Sequence, residues 1–250
     1  MTINRDAIIT ALRRQLEPNP QVLAMWLEGA DAHNLVDALS DIDICCSVTP
    51  RSMEAVTGVA RQALVALAAV DLDQSTERME QQWHTTFHLE GTSPYLLIDF
   101  CVYVGRGSTF IAGDEIEKPL ILFDRAGVIR FLPPQDHPGC QSQTERLQHL
   151  VETVEQSARI EKYVIRGDFL EAFGYYHRWL LTPLIEVLRM RYTPLHPDYY
   201  IVHISRHLPV EALRRLEDLF KVNEIAEIGA KTEQARQFFV ETVAYLRTSQ

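Results

Sequence analysis

Three prolines and a glycine fall within seven residues, Pro133-Pro134-Gln135-Asp136-His137-Pro138-Gly139, and neither a helix nor a central strand runs through such a segment. The chain is divided there. Before it lie short apolar runs separated by turns; after it apolar residues recur at helical spacing almost throughout. The sequence predicts two domains, 1–135 and 140–250, and an α+β class: an N-terminal mixed-sheet domain followed by an all-α helical bundle. With 250 residues, 46% of them hydrophobic, each half can bury a core of its own.

In the first half, Ile8, Leu12 and Leu16 mark a helix stopped by the segment 17–20, with its two prolines. Val22 to Leu27 and Ile42 to Val48 read as strands. Between them Gly29 to Ser40 is polar. Pro50 and Ser52 open a helix whose apolar face is Met53, Val56, Val59, Ala60, Leu64 and Leu67. Two further strands, His84 to Leu89 and Tyr95 to Val104, flank a Gly91-Thr92-Ser93-Pro94 turn, and Leu120 to Phe123 is expected to pair with Val128 to Leu132. These strands should form one sheet with helices on one side. In the second half, Asp168 and Glu171 have the spacing of a capping box, and Pro183 should kink or break the helix that contains it.

Asp41-Ile42-Asp43-Ile44 carries the chemistry. Side chains i and i+2 of a strand share a face, so Asp41 and Asp43 project together while Ile42 and Ile44 go to the core. Their Cα atoms are then roughly 6 to 7 Å apart. Like charges that close call for a cation, and hard carboxylate oxygens suit Mg²⁺, which draws its other ligands from waters and substrate phosphates. Asp99 stands alone in the apolar run Leu96 to Val102, where an unpaired acid is costly. If its strand lies beside the first, three acids can hold two Mg²⁺ ions for in-line phosphoryl displacement, with Asp99 the nearest candidate general base. Gly29 lets the backbone approach phosphate oxygens.

The segments Trp26-Leu27-Glu28-Gly29-Ala30 and Ser40-Asp41-Ile42-Asp43-Ile44, with ten residues between Ala30 and Asp41, resemble the Gly-Ser and Ser-Asp-Ile-Asp-Leu motif of antibiotic nucleotidyltransferases of the DNA polymerase beta superfamily. Ile98-Asp99-Phe100 looks like that family's third-acid strand. The helical half, through Arg166 to Ala172 and Arg206 to Pro209, is similar to the second domain of the aminoglycoside and lincosamide nucleotidyltransferase-like group. The resemblance implies a nucleotidyltransferase domain that moves a nucleoside monophosphate, AMP from ATP or that of another NTP, onto a hydroxyl of a small molecule, with antibiotic resistance as the family-level role. It implies metal on Asp41, Asp43 and Asp99, and nucleotide contacts from Gly29, Ala30, Ser40 and Lys162, the only lysine between Lys118 and Lys221. Ala30 replaces the family's serine and removes a hydroxyl for a phosphate oxygen. Asp31 and His33 stand near where relatives often carry arginine.

Acidic residues outnumber basic ones 34 to 24, for a net charge of -10. That charge opposes a nucleic-acid partner and favours a cationic acceptor, though it also serves solubility. The four cysteines, with Cys45 and Cys46 adjacent in an apolar run, do not make a disulfide framework. With no signal-peptide core or membrane-length run, the expected location is cytoplasmic, without a membrane partner. A homodimer is left open. His84 and His88 fall on a predicted strand and are expected in solvated or hairpin-packing roles; His203 and His207 are expected at the surface or at a cap. The aromatic run Phe169, Phe173, Tyr175, Tyr176 and Trp179 is expected to be mostly core, with Tyr175 or Trp179 the candidates to stack on a base or sugar. Two other functions fit the same motif: a protein-modifying, AMP-transferring regulator of toxin–antitoxin type, and a non-catalytic nucleotide-binding module.

Overall fold

A computed structural model describes residues 3–79, 81–105, 108–134 and 143–248. Packing divides the chain into two compact units, Met1–Pro134 and Gln135–Gln250. The breaker segment from Gln135 to Gly139, and Cys140 after it, lie outside the described residues.

The first unit is mixed α and β. Helix α1 (Arg5–Leu16) is capped by Asn4, whose side chain accepts from the Ala7 N–H at 2.9 Å. Strand β1 (Val22–Leu27) leads through a short helix α2 (Gly29–His33) to β2 (Ile42–Val48), and α3 (Met53–Val65) follows. Then come β3 (Val70–Met79), β4 (Gln82–Leu89), β5 (Ile98–Val104), β6 (Thr109–Ile111), β7 (Leu120–Asp124) and β8 (Arg130–Leu132). Six strands form one sheet in the order β3-β4-β5-β2-β1-β7, and β6 pairs with β8 separately. Within the large sheet, β2 and β5 are parallel and the other pairs antiparallel. A parallel pair needs a long crossover, supplied here by α3, β3 and β4.

Strict alternation along the two central strands separates core from site. Ile42, Ile44, Cys46 and Val48 of β2, with Ile98, Phe100 and Val102 of β5, pack against Ile8, Leu12 and Leu16 of α1 and Val56, Ala60 and Leu64 of α3. The residues between them face the other way. Cys45 packs there with Ala24, Trp26 and Phe110, and Cys101 and Tyr103 join that cluster. Asp43 and Asp99, each two residues before one of these cysteines, share that face.

Three local expectations change. Strand β3 has no clear sequence signal, because Asp71, Asp73, Gln74 and Ser75 give it a polar composition; as the sheet's edge it pairs only with β4. Strands β7 and β8 do not pair with each other. The Asp124 carboxylate accepts from the N–H groups of Ala126, Val128 and Ile129, at 3.0 to 3.2 Å, and this turn sends the chain from β7, beside β1, to β8, beside β6.

The second unit contains α4 (Gln143–Glu155), α5 (Ala158–Arg166), α6 (Phe169–Tyr176), a π-helical turn (His177–Leu181), α7 (Thr182–Tyr192), α8 (Ile204–His207), α9 (Val210–Phe220) and α10 (Ile225–Thr248). Leu150, Ile160, Tyr176, Leu184, Leu188, Leu216, Phe238 and Phe239 are among its core residues. Asp168 makes no side-chain cap to α6. Gly167 governs that junction instead: at φ 79° it ends α5, its N–H bonding to the Val164 carbonyl and that of Asp168 to the Tyr163 carbonyl. At Pro183 the α-helical pattern is interrupted: the π turn His177–Leu181 separates α6 from α7, and Pro183 stands at the start of α7, where its missing donor costs least.

Strand β4 carries two groups that reach the site, so the clasp that ends it matters. His88 places Nδ1 2.6 Å from Asp71 Oδ1 and Nε2 3.0 Å from the Ser93 carbonyl oxygen. Burial alone would lower its pKa, but the Ser93 and Asp71 acceptors outweigh burial and raise it. A raised histidine pKa contributes stability that is complete below the unfolded value and lost as pH rises through the folded one. His88→Gln should therefore cost about 0.5 to 1 kcal/mol at pH 5.5 and less at pH 8, by urea unfolding at the two pH values. An equal loss at both would contradict the clasp.

Candidate metal centre

The register of β2 on β5 sets Asp43 directly beside Asp99. Asp41 lies one residue before β2 begins. Carboxylate oxygens of Asp41, Asp43 and Asp99 all lie within 4.8 Å of one another, each side chain half-buried. Burial first, then the negative charges of Asp41, Asp99, Glu28 and Asp31, push Asp43 up to about 7. Three hard oxygen donors under mutual repulsion fit a divalent cation of the Mg²⁺ type.

Backbone shape on the β1 side is equally constrained. Gly29 sits at φ 58°, and a Cβ placed on it would lie 2.1 Å from Asp43 Oδ2. No other residue leaves that oxygen its space. The neighbouring Glu28 donates its N–H to the Asp43 carbonyl at 3.1 Å, and its side-chain Oε1 accepts from Trp26 Nε1 at 2.7 Å. Thr86, Asp99, Asp43 and Glu28 thus form a row across β4, β5, β2 and the end of β1.

Thr86 donates its hydroxyl to Asp99 Oδ1 at 2.6 Å, and His84 Nε2 lies 3.3 Å from the same oxygen. Asp99, expected as the base, therefore has one oxygen already engaged by the protein. His84 reaches that acid rather than solvent. The spacing of two histidines four apart carries no such signal; only the antiparallel register of β4 on β5 does.

Arg5, on α1, also escapes the sequence reading. Its guanidinium bonds to the Asp31 carboxylate and donates to the carbonyls of Ser40 and, at 2.7 Å, Asp41. Burial raises the Asp31 pKa, while Arg5 opposes the shift. His33 ties the other side of α2, with Nδ1 2.6 Å from the Gly29 carbonyl oxygen and Nε2 3.0 Å from that of Glu115.

Ala30 is the second residue of α2, its carbonyl accepting from Leu35 N–H at 3.0 Å. The Ser40 hydroxyl is engaged within its own turn, to Asp37 Oδ1 at 3.0 Å. Lys162 belongs to α5 of the second unit, with Nζ 5.3 Å from the centre of the Tyr163 ring. Tyr175 lies between Tyr163 and Trp179, at 5.0 and 6.4 Å between ring centres. His207 accepts from Arg189 at 2.8 Å, and Arg189 also donates to the Tyr200 and Val202 carbonyls. Cys45, Cys46 and Cys101 are free thiols. No described helix is long and apolar enough to cross a membrane.

No protein-family model matches the sequence, and no curated protein does. Among solved structures, the chain is similar to a candidate nucleotidyltransferase from H. pylori, at 9% identity over 98% of this chain and 99% of that one, with a TM-score of 0.31. JHP933 from Helicobacter pylori is matched at 10% identity over 99% of both chains, with a TM-score of 0.30. So loose a likeness leaves function to be argued from the side chains.

Two outcomes follow from the packing of these acids. Gly29→Ala should destabilise the fold by about 1 to 3 kcal/mol, from the positive φ and the displaced Asp43 carboxylate, as measured by denaturant unfolding; a neutral substitution would contradict the close approach. The Asp43 proton supplies the second. An acid whose folded pKa is raised contributes stability fully present below its ordinary 3.8 and lost as pH rises through about 7. Metal-free protein should thus lose on the order of 2 kcal/mol between pH 4 and pH 8 relative to Asp43→Asn, after allowance for solvent screening. Thermal melts in chelator check this, and parallel curves for the two proteins would refute it.

Proposed function

We propose that the protein is a Mg²⁺-dependent nucleotidyltransferase that moves a nucleoside monophosphate, AMP from ATP, onto a hydroxyl of a small molecule and releases pyrophosphate. The observation that carries this reading is the triad itself: carboxylates of Asp41, Asp43 and Asp99 within 4.8 Å, beside a glycine that leaves Asp43 Oδ2 unobstructed. Asp41, Asp43 and Asp99 would hold two ions. When bound, such a pair neutralises triphosphate charge and activates an attacking hydroxyl.

The residues around the triad serve placement. Thr86 fixes one oxygen of Asp99 through its 2.6 Å hydrogen bond. Gly29 keeps side-chain bulk away from Asp43, and the row from Thr86 to Glu28 holds Asp43 and Asp99 on a rigid sheet rather than on a loop. In the proposed reaction the acceptor oxygen bonds to the α-phosphorus as the bond from that phosphorus to the bridging oxygen breaks. Pyrophosphate leaves with the electron pair, and the hydroxyl proton is released.

Lys162 is proposed as a triphosphate contact, and an antibiotic of aminoglycoside type as the acceptor. The acidic balance of the chain, 34 acidic to 24 basic residues, supports a cationic acceptor. Ala30 supplies no hydroxyl to a phosphate, so nucleotide contact there falls to the backbone.

Incubation with each NTP, Mg²⁺ and a panel of aminoglycosides, read by mass spectrometry, should show one acceptor gaining a nucleoside monophosphate. Asp43→Asn should reduce turnover by at least about 10³-fold. Labelled ATP added to lysate separates the alternatives: label in a protein band favours a protein-modifying regulator, and nucleotide binding without pyrophosphate release favours a non-catalytic module. Failure of every nucleotide to bind in the presence of Mg²⁺ would end the proposal.

A further inference from the structure

Of the three acids, Asp43 and Asp99 are held by the sheet, each within the β2–β5 ladder. Asp41 is not. It precedes the first residue of β2 and the first pair of the β2–β5 register, and the connection before it leaves Leu35, Val36 and Leu39 at 45 to 65% exposure. An acid on such a segment would ordinarily sample many positions.

Arg5 removes that freedom. One terminal nitrogen, Nη2, donates to the carbonyls of both Ser40 and Asp41, while Nη1 bonds to the Asp31 carboxylate at the other end of the connection. The next N–H, that of Ile42, donates to the Leu97 carbonyl at 2.9 Å. The peptide joining Asp41 to Ile42 is thereby held at its oxygen by α1 and at its nitrogen by the segment leading into β5. The Arg5 side chain is only 12% exposed, and that of Asp31 9%, so water competes little for these bonds.

We infer that Arg5 is a positioning residue for the metal centre: its guanidinium takes the place of the missing ladder at Asp41 and holds that carboxylate within reach of the other two. This inference rests on the metal-binding reading of the triad. The planar fork is essential to it, because two carbonyls and a carboxylate are bonded at once from fixed directions. A lysine ammonium on a flexible stem does not reproduce that geometry.

The test uses the full chain and Mn²⁺ as probe. Paramagnetic resonance titration should give a site in the wild type whose affinity falls about 10- to 100-fold in Arg5→Met, the range for loss of a group that orients metal ligands. Arg5→Lys should recover little of it. Asp31→Asn, which keeps both carbonyl bonds, should lose less than Arg5→Met. In metal-free protein, amide exchange of residues 35–42 should quicken in Arg5→Met while β2 and β5 stay protected. Unchanged Mn²⁺ affinity with unchanged exchange, or a lowered melting temperature with no change in affinity, would overturn the inference. If the wild type binds no Mn²⁺, the metal reading itself fails, and the exchange measurement still decides whether Arg5 orders this segment. Should Arg5→Met not fold, Arg5→Lys carries the same comparison.

Discussion

Two carboxylates on adjacent strands repel, and the parallel pairing of β2 with β5 forces that repulsion on Asp43 and Asp99. The pairing cannot slip to relieve it. A one-residue shift would turn Ile42, Ile44 and Phe100, all at the core face, toward the acids' side. The buried hydrophobic face thus holds the charged face in place, and stability from the core is used to keep an electrostatically unfavourable cluster together. The raised pKa of Asp43 expresses that conflict.

Everything close to the cluster manages its charge or its shape. Thr86 and His84 engage one oxygen of Asp99. Arg5 fixes the segment that carries Asp41 and neutralises Asp31. Gly29 makes room for Asp43 Oδ2. These groups come from α1, β4 and the turn after β1, so the centre depends on the whole first unit folding. An arrangement that costs the apoprotein stability is expected where charge is to be compensated by a ligand.

Much of this was legible in the sequence because it is periodic or local. Alternation around Ile42 and Ile44 separates Asp41 and Asp43 from the core in any strand, and Asp99 stands out as an acid in an apolar run. The roles of Arg5, Thr86 and His84 follow from register and from the crossing of α1 over the loop before β2, which no local pattern encodes. Strand β3 gives no local signal because its composition is polar, and the divergence of β7 from β8 depends on one carboxylate, Asp124, capping a turn. The mixed sheet with helices on one face was readable from apolar spacing; the strand order, with β5 inserted beside β2, was not.

The central claim is that the three aspartates form a cation site that receives a nucleoside triphosphate. Anomalous diffraction from crystals soaked in Mn²⁺ and a non-hydrolysable ATP analogue tests it most directly. The account predicts Mn²⁺ peaks coordinated by Asp41, Asp43 and Asp99, with triphosphate oxygens completing the shell. Bound nucleotide elsewhere, or Mn²⁺ that leaves these carboxylates uncoordinated, would contradict it.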